Sequence, residues 1–169
     1  MVLVDNNVLS SLAKIDRLTL LDAVFDRIST SVSVLDELHS DAVSGYSFVD
    51  RIDEVKQYES GWLQVISPTD GEIQLTAEIL DPSLSYTDAE LIAIAENRTK
   101  RLLTDDKHVG EVASTRGVEM WDLTLFLRAA CKVEAIETEE QLQAVLSDLR
   151  QKDFYEFSDE DEQYLFDSL

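Results

Sequence analysis

Scarcity frames this chain. Cys131 is the only cysteine among 169 residues, which excludes an internal disulfide and a cysteine-based zinc cluster. Its thiol reads as a small buried residue. His39 and His108 are too few and too far apart for a zinc motif. There is no run of 18 apolar residues, and the N-terminus lacks the basic stretch of a signal peptide. The expectation is a protein of the cytoplasm with no membrane partner. No internal repeat or low-complexity linker interrupts the chain.

Positive charge is also scarce. Lys and Arg total 14 against 35 Asp and Glu, a net charge of −21, with the acids spread along the whole length. Such a charge opposes compaction in dilute buffer through self-repulsion. At molar salt the Debye length falls to about 3 Å and the repulsion is screened. The acidity therefore points to a salt-loving host, and reports on the solvent more than on the ligand.

What is present suffices for a core. A length of 169 residues with 44% hydrophobic content predicts one globular unit. Strands are expected at 1–4, 27–32, 61–68, 101–104 and 117–121, the third stopped by Pro68. Helices are expected at 7–15, 17–26, 33–43, 48–59, 70–80, 88–98 and 107–116, then at 122–131, 139–151 and 159–168. "SDEDE" (158–162) reads as a charged first helical turn. Strands alternating with helices predict a parallel sheet wrapped in helices.

Four helix starts carry acids. "MVLVDNNVL" ends an apolar run in Asp5, which either caps the helix that follows or holds a metal at a strand's carboxyl end. In "TSVSVLDELHSD", Ser33 and Asp36 read as a capping pair, leaving Glu37 on a stripe with Val34, Leu38 and Asp41. In "SYTDAELIAIAEN", Thr87 and Glu90 fit the T-x-x-E capping box. Asp88 is left at the tip of the apolar stripe Leu91, Ile92 and Ala95, where full burial without a partner would be costly. In "RLLTDDKHVGEVA" one of Asp105 and Asp106 can cap, but two adjacent acids exceed what a cap needs. Hard divalent ions bind through a few carboxylates plus water and phosphate. The repeated device favours a metal site over solvated first-turn acids.

"VLVDNNVL", "VLDEL", "TDAELIAIAEN" and "LLTDDKHV" resemble, in order, the four acidic motifs of the PIN-domain nucleases. The resemblance spans about residues 1–130. "LLTDDK" with "RGVEMWDLTLFL" is most similar to the branch containing VapC-like toxins and their relatives, and the tail from Leu149 is similar to that branch's final helix pair. It implies a PIN-like three-layer α/β/α fold with a short central parallel sheet of four to five strands. A nuclease domain would occupy 1–130, with a C-terminal helical extension, 131–169, packed on it. It also implies a Mg²⁺- or Mn²⁺-dependent endoribonuclease, possible as the toxin of a toxin-antitoxin pair. The metal-binding acids would be Asp5, Glu37, Asp88 and Asp106, with Asp105 the alternative fourth. Asn7 and Thr104 would orient those ligands.

Nucleic-acid binding calls for basic residues. Arg98, Lys100, Arg101, Lys107 and Arg116 give 98–116 the largest positive balance of any stretch of its length. It reads either as an RNA contact or as an ordinary solvated face. Expected partners are RNA, an antitoxin protein and a second copy of the chain. Two other classes compete. A phosphoacceptor receiver domain would need an Asp after a central strand, and "GWLQVISP" has none. A catalytically silent PIN-like module that binds RNA or a protein would keep the fold without turnover.

Overall fold

The first apolar run of the chain becomes its innermost strand. In the computed structural model, which describes residues 1–40, 45–56, 61–99 and 101–169, β1 (Val2–Val4) is buried throughout. β2 (Ile28–Ser31) pairs with it on one side, Val2 opposite Ile28, and β4 (Arg101–Leu103) on the other, Leu3 opposite Leu102. β3 (Leu63–Ile66) and β5 (Glu119–Trp121) are the edges of a five-stranded parallel sheet ordered β3-β2-β1-β4-β5. β1 and β2 are fully buried while β5 is partly exposed, as a helix-covered parallel sheet requires. The expected α/β/α architecture is the observed one.

Helices α1 (Asn6–Lys14) and α2 (Thr19–Val24) join β1 to β2. α3 (Val32–Leu38) and α4 (Ser47–Glu54) lead to β3. α5 (Asp70–Ile79) and α6 (Tyr86–Ile94) return the chain to β4, the second ending in a π-helical turn, Ala95–Thr99. α7 (Lys107–Thr115) joins β4 to β5. Beyond the sheet come α8 (Leu123–Lys132), α9 (Glu139–Lys152) and α10 (Asp159–Phe166). α9 packs on α1 and α10 on α8, and Leu142, Leu146 and Leu165 join the same buried cluster as Leu3, Ile92 and Phe126.

The strand order reverses at β1. The chain leaves β1 towards β2 and β3, then comes back to place β4 on the other flank. Open α/β sheets bind ligands in the crevice that such a reversal opens at the carboxyl ends of the strands. Asp5 follows β1 there, and Thr104 to Asp106 follow β4.

Two helices start two residues earlier than expected. α3 is capped by Ser31, whose Oγ accepts from the Val34 N–H at 3.3 Å, and not by Ser33. Asp36 is exposed and takes no part in the cap. α6 is capped by Ser85, which accepts from the Asp88 N–H at 3.1 Å, and not by Thr87. Both stretches offer hydroxyls at alternate positions, so local chemistry leaves the register open. Burial closes it: Val34, Leu35 and Leu38 face the core together, and Thr87 itself is buried. The periodicities expected over 33–43 and 48–59 run past α3 and α4 into 41–44 and 57–60, so Asp41 lies outside the described residues.

Candidate active site

Asp5 serves both roles that its position allowed. Its Oδ1 caps α1 by accepting from the Val8 N–H at 2.8 Å. Its own N–H donates to Leu103 O at 3.1 Å, tying the ends of β1 and β4 together. The side chain is buried, and it has no basic partner among the hydrogen bonds and ion pairs of the described residues. Burial pushes its pKa up to about 7; the Thr104 hydroxyl and the Val8 N–H restrain the rise, while Asp105 and Asp88 add to it. A carboxylate held there with acids for neighbours gains from any cation that reaches it.

Thr104 links the two strand ends. Besides its hydrogen bond to Asp5, its Oγ1 accepts from the Asp106 N–H at 3.1 Å. Asp106 caps α7, accepting at Oδ1 from His108 N–H (2.8 Å) and Val109 N–H (3.1 Å). Asp105 turns the other way. It accepts from Leu123 N–H at 2.8 Å, at the start of α8, and from the Tyr155 hydroxyl. Burial raises its pKa. Both aspartates belong to the acidic neighbourhood, the charge of Asp106 acting on Asp88 and that of Asp105 on Asp5, while Asp105 also fastens α8 and the C-terminal segment.

Asp88, and not Glu90, is the acid three residues after the cap of α6. It bonds the Ser85 hydroxyl and not the Ser85 backbone N–H, so the expected capping box is not formed. The Ser85 hydroxyl donates to Asp88 Oδ2 at 2.7 Å while Ser85 accepts from the Asp88 N–H. Burial raises the pKa of Asp88, and the charges of Asp106 and Glu37 add to the rise against the Ser85 hydrogen bond. That mutual repulsion places Asp88, Asp106 and Glu37 in one electrostatic neighbourhood, which reaches Asp5 through Asp88. Glu90 lies two residues away on the helix, buried, with Oε1 lacking any hydrogen-bond partner. Glu37 on α3 accepts from Asn6 Nδ2 at 3.3 Å. Asn6, and not the expected Asn7, is therefore the amide that steadies an acid. Asn7 is exposed and lines the adjoining cleft.

The donors are all hard oxygens and suit Mg²⁺ or Mn²⁺ in chemistry. As placed, no three Asp, Glu, His or Cys side chains among the described residues are gathered tightly enough to hold one ion. Each outer acid instead rests on a local donor: Glu37 on Asn6, Asp88 on Ser85, Asp106 on the first turn of α7.

The basic stretch lies largely elsewhere. Arg101 opens β4, so it stands at the opposite end of the strand from Thr104, about 10 Å away. It pairs with Glu119 and covers the Trp121 ring at 4.8 Å. Arg98 forks onto buried Glu72 and reaches Ser67 O. Arg116, at the far end of α7, pairs with Glu96. Lys100 lies outside the described residues. Only Lys107, exposed on the first turn of α7, adjoins the acids. Density along a chain picks out these residues, and density does not distinguish the two ends of a strand.

A cleft of about 540 Å³ opens beside Asp106. It is lined by Asn6, Ser10 and Lys14 of α1, by Phe48 of α4, and by Asp153 and Tyr155. Lys14 pairs with Asp153 at 2.6 Å and sits 5.4 Å from the Phe48 ring centre. None of Lys14, Asp153 or Tyr155 was singled out in the sequence, because each meets the site only through the docking of the C-terminal segment on α1.

A family model for the PIN domain matches residues 1–165. The chain belongs to the PIN-domain family. PIN domains are generally nucleases and use divalent metal ions, which agrees with acids collected at the strand-order reversal. A search of curated proteins finds no match to the chain. No described helix of this PIN domain is long and apolar enough to cross a membrane.

Proposed function

We propose that this PIN domain is a Mg²⁺- or Mn²⁺-dependent endoribonuclease of the VapC-like branch. In this reading it is the toxin of a toxin-antitoxin pair in the cytoplasm of a salt-accumulating host. The observation that carries the proposal is Asp5. It is a buried carboxylate without a basic partner among the described residues, and burial raises its pKa, with Asp105 and Asp88 adding to the rise. Asp5, Glu37, Asp88 and Asp106 would hold the metal, which when bound lowers the pKa of a water and offsets charge on the phosphate.

The chain's own residues do the rest. Thr104 fixes Asp5 against the Asp106 loop, and Asn6 holds Glu37 on its side of the crevice. To share one ion, Asp88 and Glu37 would have to exchange their bonds to Ser85 and Asn6 for it. Lys107, exposed beside Asp106, would meet a phosphate, and Asn7, which lines the cleft, would meet the substrate there. RNA is the proposed substrate, an antitoxin and a second copy the proposed protein partners. The competing reading, a silent module that binds RNA or a protein, rests on the local donor that each outer acid already has.

Cleavage of a labelled single-stranded RNA separates the two. The nuclease reading expects cleavage with Mn²⁺ or Mg²⁺, none with a chelator, and a loss of at least 100-fold in Asp88→Asn and Asp5→Asn, in keeping with charge stabilisation as a large contribution to rate. RNA left whole by the wild-type chain in saturating Mn²⁺ would establish the silent module.

A further inference from the structure

The segment between α9 and α10 contains an anomaly. α9 ends at Lys152, and the N–H groups of Asp153 and Tyr155 both donate to Leu149 O at 3.1 Å. Between them Phe154 adopts φ 56°, the left-handed conformation that helix ends usually give to glycine or asparagine. Its side chain is 85% exposed. Asp16 and Glu134 take the same backbone conformation after α1 and α8, but both are charged and well solvated there. Phe154 combines an unfavourable backbone with an unburied ring, and packing among the described residues returns neither cost.

Its neighbours are anchored on both sides. Asp153 accepts from Ser11 Oγ and from Lys14 Nζ on α1. The Tyr155 hydroxyl bonds to Asp105, one residue from Asp106, and its ring meets Phe157 at 4.5 Å between centres. Tyr155 is the partition between two depressions. One is the cleft beside Asp106, and the other, about 390 Å³, is lined by Phe154 and Arg150. Lys14 and Arg150 neutralise Asp153 and Glu162 along this wall. In a chain of net charge −21, two of the acids on this route are thereby masked from a phosphate backbone, while Glu156 stays exposed at its side.

We propose that Phe154 is a nucleobase-stacking platform that receives an unpaired base of single-stranded RNA at the rim of the cleft, fixing how the strand enters towards Asp106. The inference rests on the ribonuclease reading for its substrate. Tyr155 and Phe157 line the same depression but are half-buried against each other, so Phe154 is the ring that projects. One projecting ring matches the face of one base, whereas a protein partner calls for a larger apolar patch. The αL backbone turns the ring outward, and the contacts of Asp153 and Tyr155 hold it there.

The test is fluorescence anisotropy of a labelled 10-nucleotide single-stranded RNA in an Asp88→Asn background. Alongside run the same RNA as a duplex and a strand with its bases removed. Phe154→Ala should weaken single-strand binding about 5- to 100-fold, the range for one lost stacking contact. Phe154→Trp should retain binding and show quenched indole emission on RNA. Duplex and abasic strand should bind wild type and Phe154→Ala alike. Phe154→Gly, which relieves the backbone, should melt no lower than wild type yet bind as weakly as Phe154→Ala, so misfolding is not the cause. Unchanged single-strand affinity in Phe154→Ala overturns the platform, as does an equal loss for duplex and abasic strand. A change in self-association without a change in RNA binding would assign the ring to a protein contact and overturn it too. Wild-type cleavage, measured separately, judges the nuclease reading by itself: cleavage with an inert Phe154 defeats only the platform. Binding without cleavage defeats only the nuclease.

Discussion

Asp5 spends its side chain on two tasks whose demands conflict. Capping α1 and accepting from Thr104 both favour an ionised carboxylate, while burial, helped by the neighbouring acids, favours a protonated one, and burial prevails until the pH nears 7. The folded chain therefore holds this proton more tightly than the unfolded chain does. The resulting stability is fully present below about pH 4 and is lost as pH rises through 7. In metal-free buffer, Asp5→Asn should melt close to wild type at pH 4. At pH 8 it should melt higher by roughly 5–10 °C, a few kcal/mol of relieved charge burial in a chain of this size. Equal shifts at the two pH values, in a pair of calorimetric scans, would show that burial is not what raises Asp5.

At the scale of elements, each acid reaches the site because a strand or helix ends there. Register decides which acid that is. With Ser85 as the cap of α6, Ser85→Ala should cost about 1 kcal/mol in urea unfolding, while Glu90→Gln costs no cap and relieves an unpaired buried oxygen. A larger loss from Glu90→Gln than from Ser85→Ala would restore the Thr87 register. The acids at strand ends were legible in the sequence because the apolar run before Asp5 and the run before Thr104 announce where buried strands stop. Helix starts were less so, since Ser31 competes with Ser33, and Ser85 with Thr87, on equal local terms. Tyr155 and Lys14 were invisible: their roles depend on α9 lying against α1, and no local pattern records a contact across that many residues. Arg98 and Arg101 misled for the same reason, their partners Glu72 and Glu119 being brought to them only by the folded sheet.

Across the whole molecule the charge balance sets the conditions for folding and binding alike. Eight of the 14 Lys and Arg are held in ion pairs among the described residues, which leaves little free positive surface against 35 acids. Self-repulsion should make the melting temperature rise from dilute buffer to molar KCl, and a flat or falling curve would remove the case for a salt-accumulating host. With so few cations to displace counterions, RNA binding should weaken with salt less steeply than for a basic nuclease. Much of the attraction for the phosphate then falls to the metal.

Mn²⁺ binding, followed by titration calorimetry at pH 7 on the wild-type chain and on Asp5→Asn, Glu37→Gln, Asp88→Asn and Asp106→Asn, tests that dependence most directly. If the four acids share the metal, wild type binds Mn²⁺ saturably and each variant binds at least about tenfold more weakly, as expected when a charged ligand is removed. Wild-type affinity in all four variants would contradict the shared site.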